Sequence, residues 1–471
     1  MLTPAILPQE ILDTVIDELN DKLEALRNCA LVSHRFRPRS QKHLFSTVHI
    51  KFPGRYKNNG RHPLQELLKI LTLSLARNIN HVRISNYAEN VWDDEKKCYT
   101  RNCDEILPLL FNQLHRLQSF MLSLNKNIND NACDELSASL ATALVTMLYS
   151  TQVPELNMHL IKNFPVALLA FHCPHLKRLD PTLSSWQTGV GMVPELLDLP
   201  TSDQRGHLEK VIIETSGATY LQRLYDMTKL PRSRLTFSRL REIEVNGCTG
   251  GVIDLVSSFI YDSAESLEKF TYDCGDSCFD SRVMNFTLPN HLRSLRLAFD
   301  YSWNSRPTHL DWLCKAVERI AGNSSLEEVM LVFTTNLVES FDHIRLWNGY
   351  DDWAGVFDRL LTSGGHPRLR RVSIFLNFTP FFYEVGSDSQ MIHAIPISSC
   401  GAVVRELKGR LPLLAGKGKL SVQWLVTSNL ENGLRVASRV VEEGLRGGVH
   451  VGFDGKLHAE CSSIGGTVCM K

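Results

Sequence analysis

The chain has 471 residues, of which 43% are hydrophobic and 22% are charged, a balance typical of a globular protein. Its 51 basic and 51 acidic residues cancel, so no net charge favours nucleic acid or an anionic membrane surface as a partner. The length exceeds the size at which a single core usually stops growing, which predicts one small and one large unit.

The first fifty residues predict a small helical unit with more apolar residues than it can bury alone. Pro8 suits the first position of a helix over 8–20, because its ring fixes φ and its missing N–H would be unpaired there. The apolar residues of this helix fall on one stripe, formed by Ile11, Leu12, Val15, Ile16 and Leu19. The excess implies that a partner protein covers the stripe.

Two further helices are expected to complete this unit. Asp21 can cap the second, with Glu24 placed to reach back to the N–H of the cap residue as in a capping box. The third is expected over 28–36 and is expected to end before Pro38, because the residue before a proline disfavours helical geometry. The chain is then expected to be extended over 47–52.

Three segments of this unit follow one another in a distinctive order. They read Leu-Pro-x-Glu-Ile-Leu at 7–12, Leu-x-x-Cys-Ala-Leu-Val-Ser-x-x-Phe at 26–36, and Leu-Phe-x-Thr-Val at 44–48. The set resembles an F-box, and especially the F-boxes that precede irregular leucine-rich repeats in mushroom-forming fungi. Many F-boxes have Val-Cys-x-x-Trp where this chain has Ser33 for the cysteine and Phe36 for the tryptophan, which leaves less aromatic area to bury.

The resemblance implies a partner and a function. It implies that the box docks onto the Skp linker protein and, through it, a cullin, so that the chain would be the substrate-recognition subunit of a ubiquitin ligase. The docking residues that it implies are Leu7, Pro8, Ile11, Ile16, Leu19, Val32 and Phe36. The alternative interpretation of this region is an ordinary helical cap on a larger domain.

Beyond residue 50, a phrase of the form Leu-x-x-Leu/Val/Ile-x-Leu/Val recurs at intervals of 25 to 43 residues. Its clear copies begin at 176, 208, 240, 267, 292, 326 and 369. Since alternate side chains of a strand point to opposite faces, one continuous core is expected to contain Val211, Ile243, Phe270, Leu295, Val329 and Val372. Amphipathic helices are expected between the phrases, for example over 310–320 and 352–361.

The pattern predicts an α/β fold with a repeat architecture. The predicted domains are an all-α F-box (1–50), a linker with a first helix (51–79), a leucine-rich-repeat-like solenoid (80–430) and a Gly-rich tail that is expected to be poorly ordered (431–471). In the resembled horseshoe, parallel strands line the inside and helices the outside. The repeats are degenerate and number eight to eleven, and a compact α/β domain is the alternative.

The motifs of common enzyme classes are missing from the sequence. It has no Gly-x-Ser-x-Gly, His-Glu-x-x-His, phosphate-loop or dinucleotide-binding pattern, so no catalysis and no cofactor are expected. The twelve cysteines are scattered without zinc-site spacing, so no metal is expected. No signal segment and no apolar run of about 18 residues is seen, so a cytoplasmic or nuclear location and no membrane association are expected. The basic run over 34–43 is interpreted as a solvated face rather than a nucleic-acid site.

The target is expected to lie against the strand-lined face, because the concave surface of a solenoid is not covered by helices. The outward-facing residues expected to contact it are Lys210, Glu214, Glu242, Glu244, Lys269, Asp273 and Arg296. Acidic residues outnumber basic ones in this set, which predicts a basic segment on the partner. The alternatives are a solvated sheet face with no target, a non-degradative F-box scaffold, and a repeat protein that binds partners without any ligase.

Overall fold

The structure is a computed structural model, and the chain folds as two units, Met1–Phe237 and Ser238–Lys471. The residues that it describes are 7–51, 63–71, 73–87, 91–93, 98–100, 106–124, 138–159, 164–182, 204–247, 250–273, 287–301, 308–321, 325–337, 353–380, 397–430, 433–439, 448–451 and 457–460.

The N-terminal unit begins with three helices, α1 (Gln9–Asp17), α2 (Leu23–Val32) and α3 (Arg37–Leu44). Helix α3 packs against both α1 and α2. Ile16 of α1 and Leu26 of α2 are buried between the helices, at 2% and 0% exposure. The small helical unit predicted from the sequence is therefore present, and its core is built from one side of each helix.

The helix boundaries inside this unit differ from the prediction. Helix α2 runs through Asn28, where a third helix was expected to begin, and ends at Val32. Pro38 lies in the first turn of α3 instead of ending a helix, because a proline is tolerated where its missing N–H would have no partner. The preceding break falls at Ser33, whose backbone is extended. The capping box was also predicted wrongly, because the residue before α2 is Lys22 and no side chain caps that helix.

The remaining elements of the N-terminal unit are strands with helices between many of them. The strands are β1 (Thr47–Lys51), β2 (His81–Tyr87), β3 (Val91–Asp93), β4 (Cys98–Thr100), β5 (Ser119–Leu124), β6 (Glu155–His159), β7 (Arg178–Asp180), β8 (Gly206–His207), β9 (Lys210–Glu214) and β10 (Leu235–Thr236). The helices are α4 (Pro63–Ile70), α5 (Leu73–Ala76), α6 (Ile106–Phe111), α7 (Ala138–Thr151), α8 (Val166–His172) and α9 (Ala218–Thr228).

A parallel sheet forms the body of this unit. Strands β1, β2, β5, β6, β7 and β9 follow one another in space as in sequence, each pairing with the next. The same register position is occupied by Val48, Val82, Phe120, Leu156, Leu179 and Val211. All of these except Val48 are at most 2% exposed, because alternate residues of each strand face the core. The sheet begins at Thr47, inside the region predicted as the box, and not at residue 80.

The C-terminal unit is also built of strands and helices. Its strands are β11 (Glu242–Asn246), β12 (Lys269–Asp273), β13 (Ser294–Tyr301), β14 (Glu328–Leu337), β15 (Arg371–Pro380), β16 (Leu420–Leu430), β17 (Gly433–Arg439), β18 (Gly448–Val451) and β19 (Leu457–Glu460). Its helices are α10 (Gly250–Asp262), α11 (Thr308–Arg319), α12 (Trp353–Thr362), α13 (Ile397–Arg410) and α14 (Pro412–Gly416). Helices α11 and α12 coincide with the two amphipathic segments predicted from spacing.

Strands β11 to β16 pair in parallel and in sequence order, and β17 is added antiparallel at the end. The predicted core residues share one register position across these strands and are at most 1% exposed: Ile243, Phe270, Leu295, Val329 and Val372. The predicted alternation is thereby confirmed. In the tail expected to be poorly ordered, the structure describes strands β17, β18 and β19, and the rest of 431–471 lies outside the described residues.

Candidate docking surface

Several large aliphatic side chains of the first three helices are exposed. Ile11 and Val15 lie four residues apart on one face of α1, Leu7 lies just before this helix, and the three side chains are 49% to 55% exposed. In α2, Leu31 is 80% and Val32 is 77% exposed. We call these five residues the apolar surface. Single exposed apolar residues are ordinary, but a group on one small unit is the mark of an interaction site.

Hydrogen bonds hold the end of α2 against the start of α1. The Arg35 guanidinium donates to the carbonyl oxygen of Leu7 over 2.8 Å, and the Gln9 side-chain amide donates to the carbonyl oxygen of Arg35 over 3.0 Å. Arg35 Nε also donates to Gln9 Oε1 over 3.3 Å. These contacts place the segment after Val32 beside Leu7, which brings the end of α2 close to the start of α1.

The seven docking residues that the resemblance implies differ in their exposure to solvent. Leu7, Pro8, Ile11 and Val32 are exposed, and Leu19 and Phe36 are half-buried. Ile16 is buried in the core and is not available to a partner, which corrects the prediction. Along the predicted stripe, Ile16 faces the core, Leu12 and Leu19 are half-buried, and Ile11 and Val15 stay exposed.

Three exposed aliphatic residues of the helical unit, Val15, Leu23 and Leu31, are absent from the implied docking residues. Val15 follows Ile11 by four residues, and this spacing could have added it to the set. Leu31 directly precedes Val32 at the end of α2. No spacing rule pointed to it, because its exposure depends on the break at Ser33.

An ion-pair network fixes α1 against α3. The guanidinium of Arg39 donates through two nitrogens to the two carboxylate oxygens of Asp17, and His43 Nε2 lies 2.7 Å from Asp17 Oδ1. These hydrogen bonds to Arg39 and His43 hold the pKa of Asp17 well below its usual range. A two-point arginine–carboxylate pair is geometrically specific, so it sets how the helices present the apolar surface. Four members of the basic run, Arg35, Arg37, Arg39 and His43, thus have partners inside the unit.

All seven predicted target-binding residues lie at the outward positions of their strands, either exposed or half-buried. Lys210 and Glu214 belong to the N-terminal unit and the other five to the C-terminal unit. On β11 and β12, Glu242 is in register with Lys269. Such neighbouring opposite charges attract, so the acidic excess expected from the sequence is offset at that point.

The outward face of the N-terminal sheet carries a histidine-rich row that sequence reasoning missed. His49 Nε2 lies 2.9 Å from Ser85 Oγ, and His81 Nδ1 lies 2.8 Å from Ser119 Oγ. His159 Nε2 lies 3.7 Å from Asp180 Oδ2. Burial lowers the pKa of His159, and Asp180 opposes that effect. Pairing of strands far apart in sequence creates this polar row.

The part of the chain that the structure describes holds no group of three or more His, Cys, Asp or Glu residues that could bind a metal ion. Within the same residues, no helix has both the length and the apolar character needed to cross a membrane. In comparisons with known proteins, no family model matches the chain and no curated protein matches its sequence.

Proposed function

We propose that this protein is the substrate-recognition adaptor of a Skp–cullin–F-box ubiquitin ligase. The single observation that carries the proposal is the apolar surface, because three of its five residues, Leu7, Ile11 and Val32, are among those that the F-box resemblance implies for docking. Covering one half-exposed aliphatic side chain contributes on the order of 1 kcal/mol, so covering the whole surface favours docking by on the order of 5 kcal/mol. The partner proposed for this surface is the Skp linker protein, which connects the chain to a cullin.

The order of the strands supports the second part of the proposal, a degenerate leucine-rich-repeat architecture. Inside each unit, every strand of the parallel sheet pairs with the next one in sequence. A doubly wound α/β domain instead reverses its strand order at a switch point, which is where such domains bind ligands. Strictly sequential pairing is the arrangement in which each repeat contacts only its neighbours.

In the proposed complex, the chain positions the target, and other subunits carry out the chemical reaction. The helical unit would fix it to the linker, and the outward residues of the strands would hold a target close to the ubiquitin-transferring subunit. Proximity of this kind converts a bimolecular encounter into an effectively intramolecular one. The proposed location is the cytoplasm or the nucleus, where those subunits act.

Docking is tested with the double variant Ile11→Asp/Val32→Asp and purified Skp linker protein. Two carboxylates placed in an apolar interface should weaken binding by at least about a hundredfold, since truncating one interface anchor alone costs roughly 1 to 4 kcal/mol. The matched control is Leu230→Asp/Val356→Asp, which adds the same charges at two other exposed aliphatic positions. Equal affinity of the two variants for the linker would refute the docking proposal.

Target capture is tested in the same preparation with Glu242→Lys/Glu244→Lys. This variant should lose or exchange its captured proteins while it keeps the linker, because reversing surface charge changes partner choice and association rate. Glu265→Lys, at an exposed position between α10 and β12, is the control. If every captured protein is retained at normal strength, the target does not lie on the strand face. A captured protein whose half-life is unchanged on deletion of the gene identifies a scaffold rather than a degradative adaptor.

A further inference from the structure

A cleft of about 570 Å³ opens in the N-terminal unit beside the last turn of α3. Its walls are the segments that lead into β2, β5 and β6, so it lies at the amino-terminal edge of the sheet and not on the strand face. A volume of this size is within the range of small-ligand sites. None of the functions proposed above uses it.

The cleft is lined by basic side chains and by no acidic one. Lys42 comes from α3, Arg77 from the segment before β2, and His115 and Arg116 from the segment before β5. Within the described residues, none of these four side chains forms an ion pair or a side-chain hydrogen bond. This distinguishes Lys42 from Arg39 and His43 of the same helix, which Asp17 engages. The cleft therefore gathers positive charge that the protein itself does not neutralise.

The partial negative charges of the nearby helix C-termini are too small to neutralise these cations. Helices α3 and α7 end beside the cleft, and each helix C-terminus carries a partial charge of roughly −0.5. Their sum is roughly one negative charge, against the three fixed positive charges of Lys42, Arg77 and Arg116. The balance is positive, which favours the entry of an anion.

A strained residue stands at the same place. Gln152, which follows α7, has φ of 53° and is the one non-glycine residue in the described part of the chain with a positive φ. Glycine is the usual residue where a helix ends in this conformation, and a residue with a side chain is strained there. Keeping glutamine at this point places a side-chain amide at the cleft, where it adds to the amides of Asn80 and Gln118.

We propose that this cleft binds a phosphate monoester group. Such a group carries close to two negative charges and three acceptor oxygens, which three cations and neighbouring amide donors can satisfy. The phosphate can belong to a phosphorylated side chain of a bound protein or to a small phosphorylated metabolite. This inference does not depend on the ligase proposal, because the cleft is formed by this chain alone and its binding can be measured without any ligase subunit.

Binding is measured by calorimetry on the full-length chain with a phosphoserine peptide, the same peptide without phosphate, and a sugar phosphate. At least one phosphorylated probe should bind about tenfold or more tightly than the unphosphorylated peptide. Preference for the peptide assigns the site to a modified protein, and preference for the sugar phosphate assigns it to a metabolite. Equal binding of both peptides together with no binding of the sugar phosphate would overturn the proposal.

The variant Arg77→Gln/Arg116→Gln should weaken binding of the phosphorylated probe by about tenfold or more. The matched control, Arg27→Gln/Arg205→Gln, removes two exposed arginines of the same unit away from the cleft and should leave binding within about twofold. A thermal melt checks that both variants fold, and Arg77→Lys/Arg116→Lys should restore part of the affinity because it restores charge. Equal loss in the cleft variant and its control, or tighter binding of a single-stranded RNA than of either ester, would overturn the assignment.

Discussion

At the scale of single residues, Leu295 shows how a loose repeat phrase produces a specific core. It is 0% exposed and lies in register between Phe270 of β12 and Val329 of β14, which are each 1% exposed. The next residue, Arg296, points to the other face and is exposed. Leu295 is therefore packed between two neighbouring strands, whereas Arg296, the next residue of the phrase, is not confined by the core.

We predict that Leu295→Ala lowers the free energy of unfolding by roughly 2 to 5 kcal/mol, because it removes buried methyl groups and leaves a cavity. Arg296→Ala is the matched control and should change it by at most about 0.5 kcal/mol. Urea unfolding of the full chain, followed by circular dichroism, measures both. The same unfolding midpoint for the two variants would contradict the proposed packing.

At the scale of secondary-structure elements, a carboxylate from one helix caps another. Asp358 of α12 is 2% exposed, and its two oxygens accept hydrogen bonds from the backbone N–H groups of Leu413 and Leu414, each over 2.8 Å. The first residue of α14 is Pro412, which has no N–H, so these are the first donors of that helix. A negative charge at a helix N-terminus is also electrostatically favourable. Asp358 thereby joins α12 to α14.

We predict that Asp358→Ala destabilises the C-terminal unit by roughly 1 to 3 kcal/mol, since one buried and one part-buried backbone donor lose their acceptors. Asp358→Asn should lie between it and the unchanged protein, because the amide retains one oxygen acceptor. Asp254→Ala, on the exposed side of α10, is the control. Hydrogen exchange at Leu413 and Leu414 should accelerate in Asp358→Ala alone, and unchanged protection there would show that the cap contributes nothing.

At the scale of the whole molecule, three ionisable groups make stability depend on pH in the same direction. Burial lowers the pKa of His159 and of His366 from about 6.5, so the folded protein favours their neutral forms. The unfolded chain then binds more protons as the pH falls below about 6.5, and stability decreases. Asp17 has a lowered folded pKa, so its contribution is present above about pH 4 and is lost at lower pH.

We predict that the melting temperature falls as the pH is lowered from about 7.5 to about 5.5, and falls again below about pH 4. His366→Leu should reduce the first of these two changes, because it removes one buried group that must be protonated on unfolding. His291→Leu, the same substitution at an exposed position of the same unit, should leave the pH dependence unchanged. Parallel melting curves for the two variants across this range would exclude His366 as a source of the effect.

What the sequence by itself determined is the alternation in the strands and the stripe on the first helix. Both follow from periods of the backbone, two residues for a strand and 3.6 for a helix, so Val211 and Ile243 could be assigned to the core without any knowledge of their neighbours. The same reasoning found α11 and α12. Local periodicity is sufficient wherever one face of an element is buried and the other is not.

Only the tertiary structure decided which part of a stripe is covered and which distant residues meet. Ile16 and Ile11 belong to one stripe, yet packing against α3 buries the first and leaves the second exposed. By sequence alone, Pro38 could follow the end of one helix or lie in the first turn of the next. The structure places it in the first turn of α3. The cleft gathers Lys42, Arg77 and Arg116 from separate segments, because parallel pairing aligns the starts of strands that are far apart in the chain.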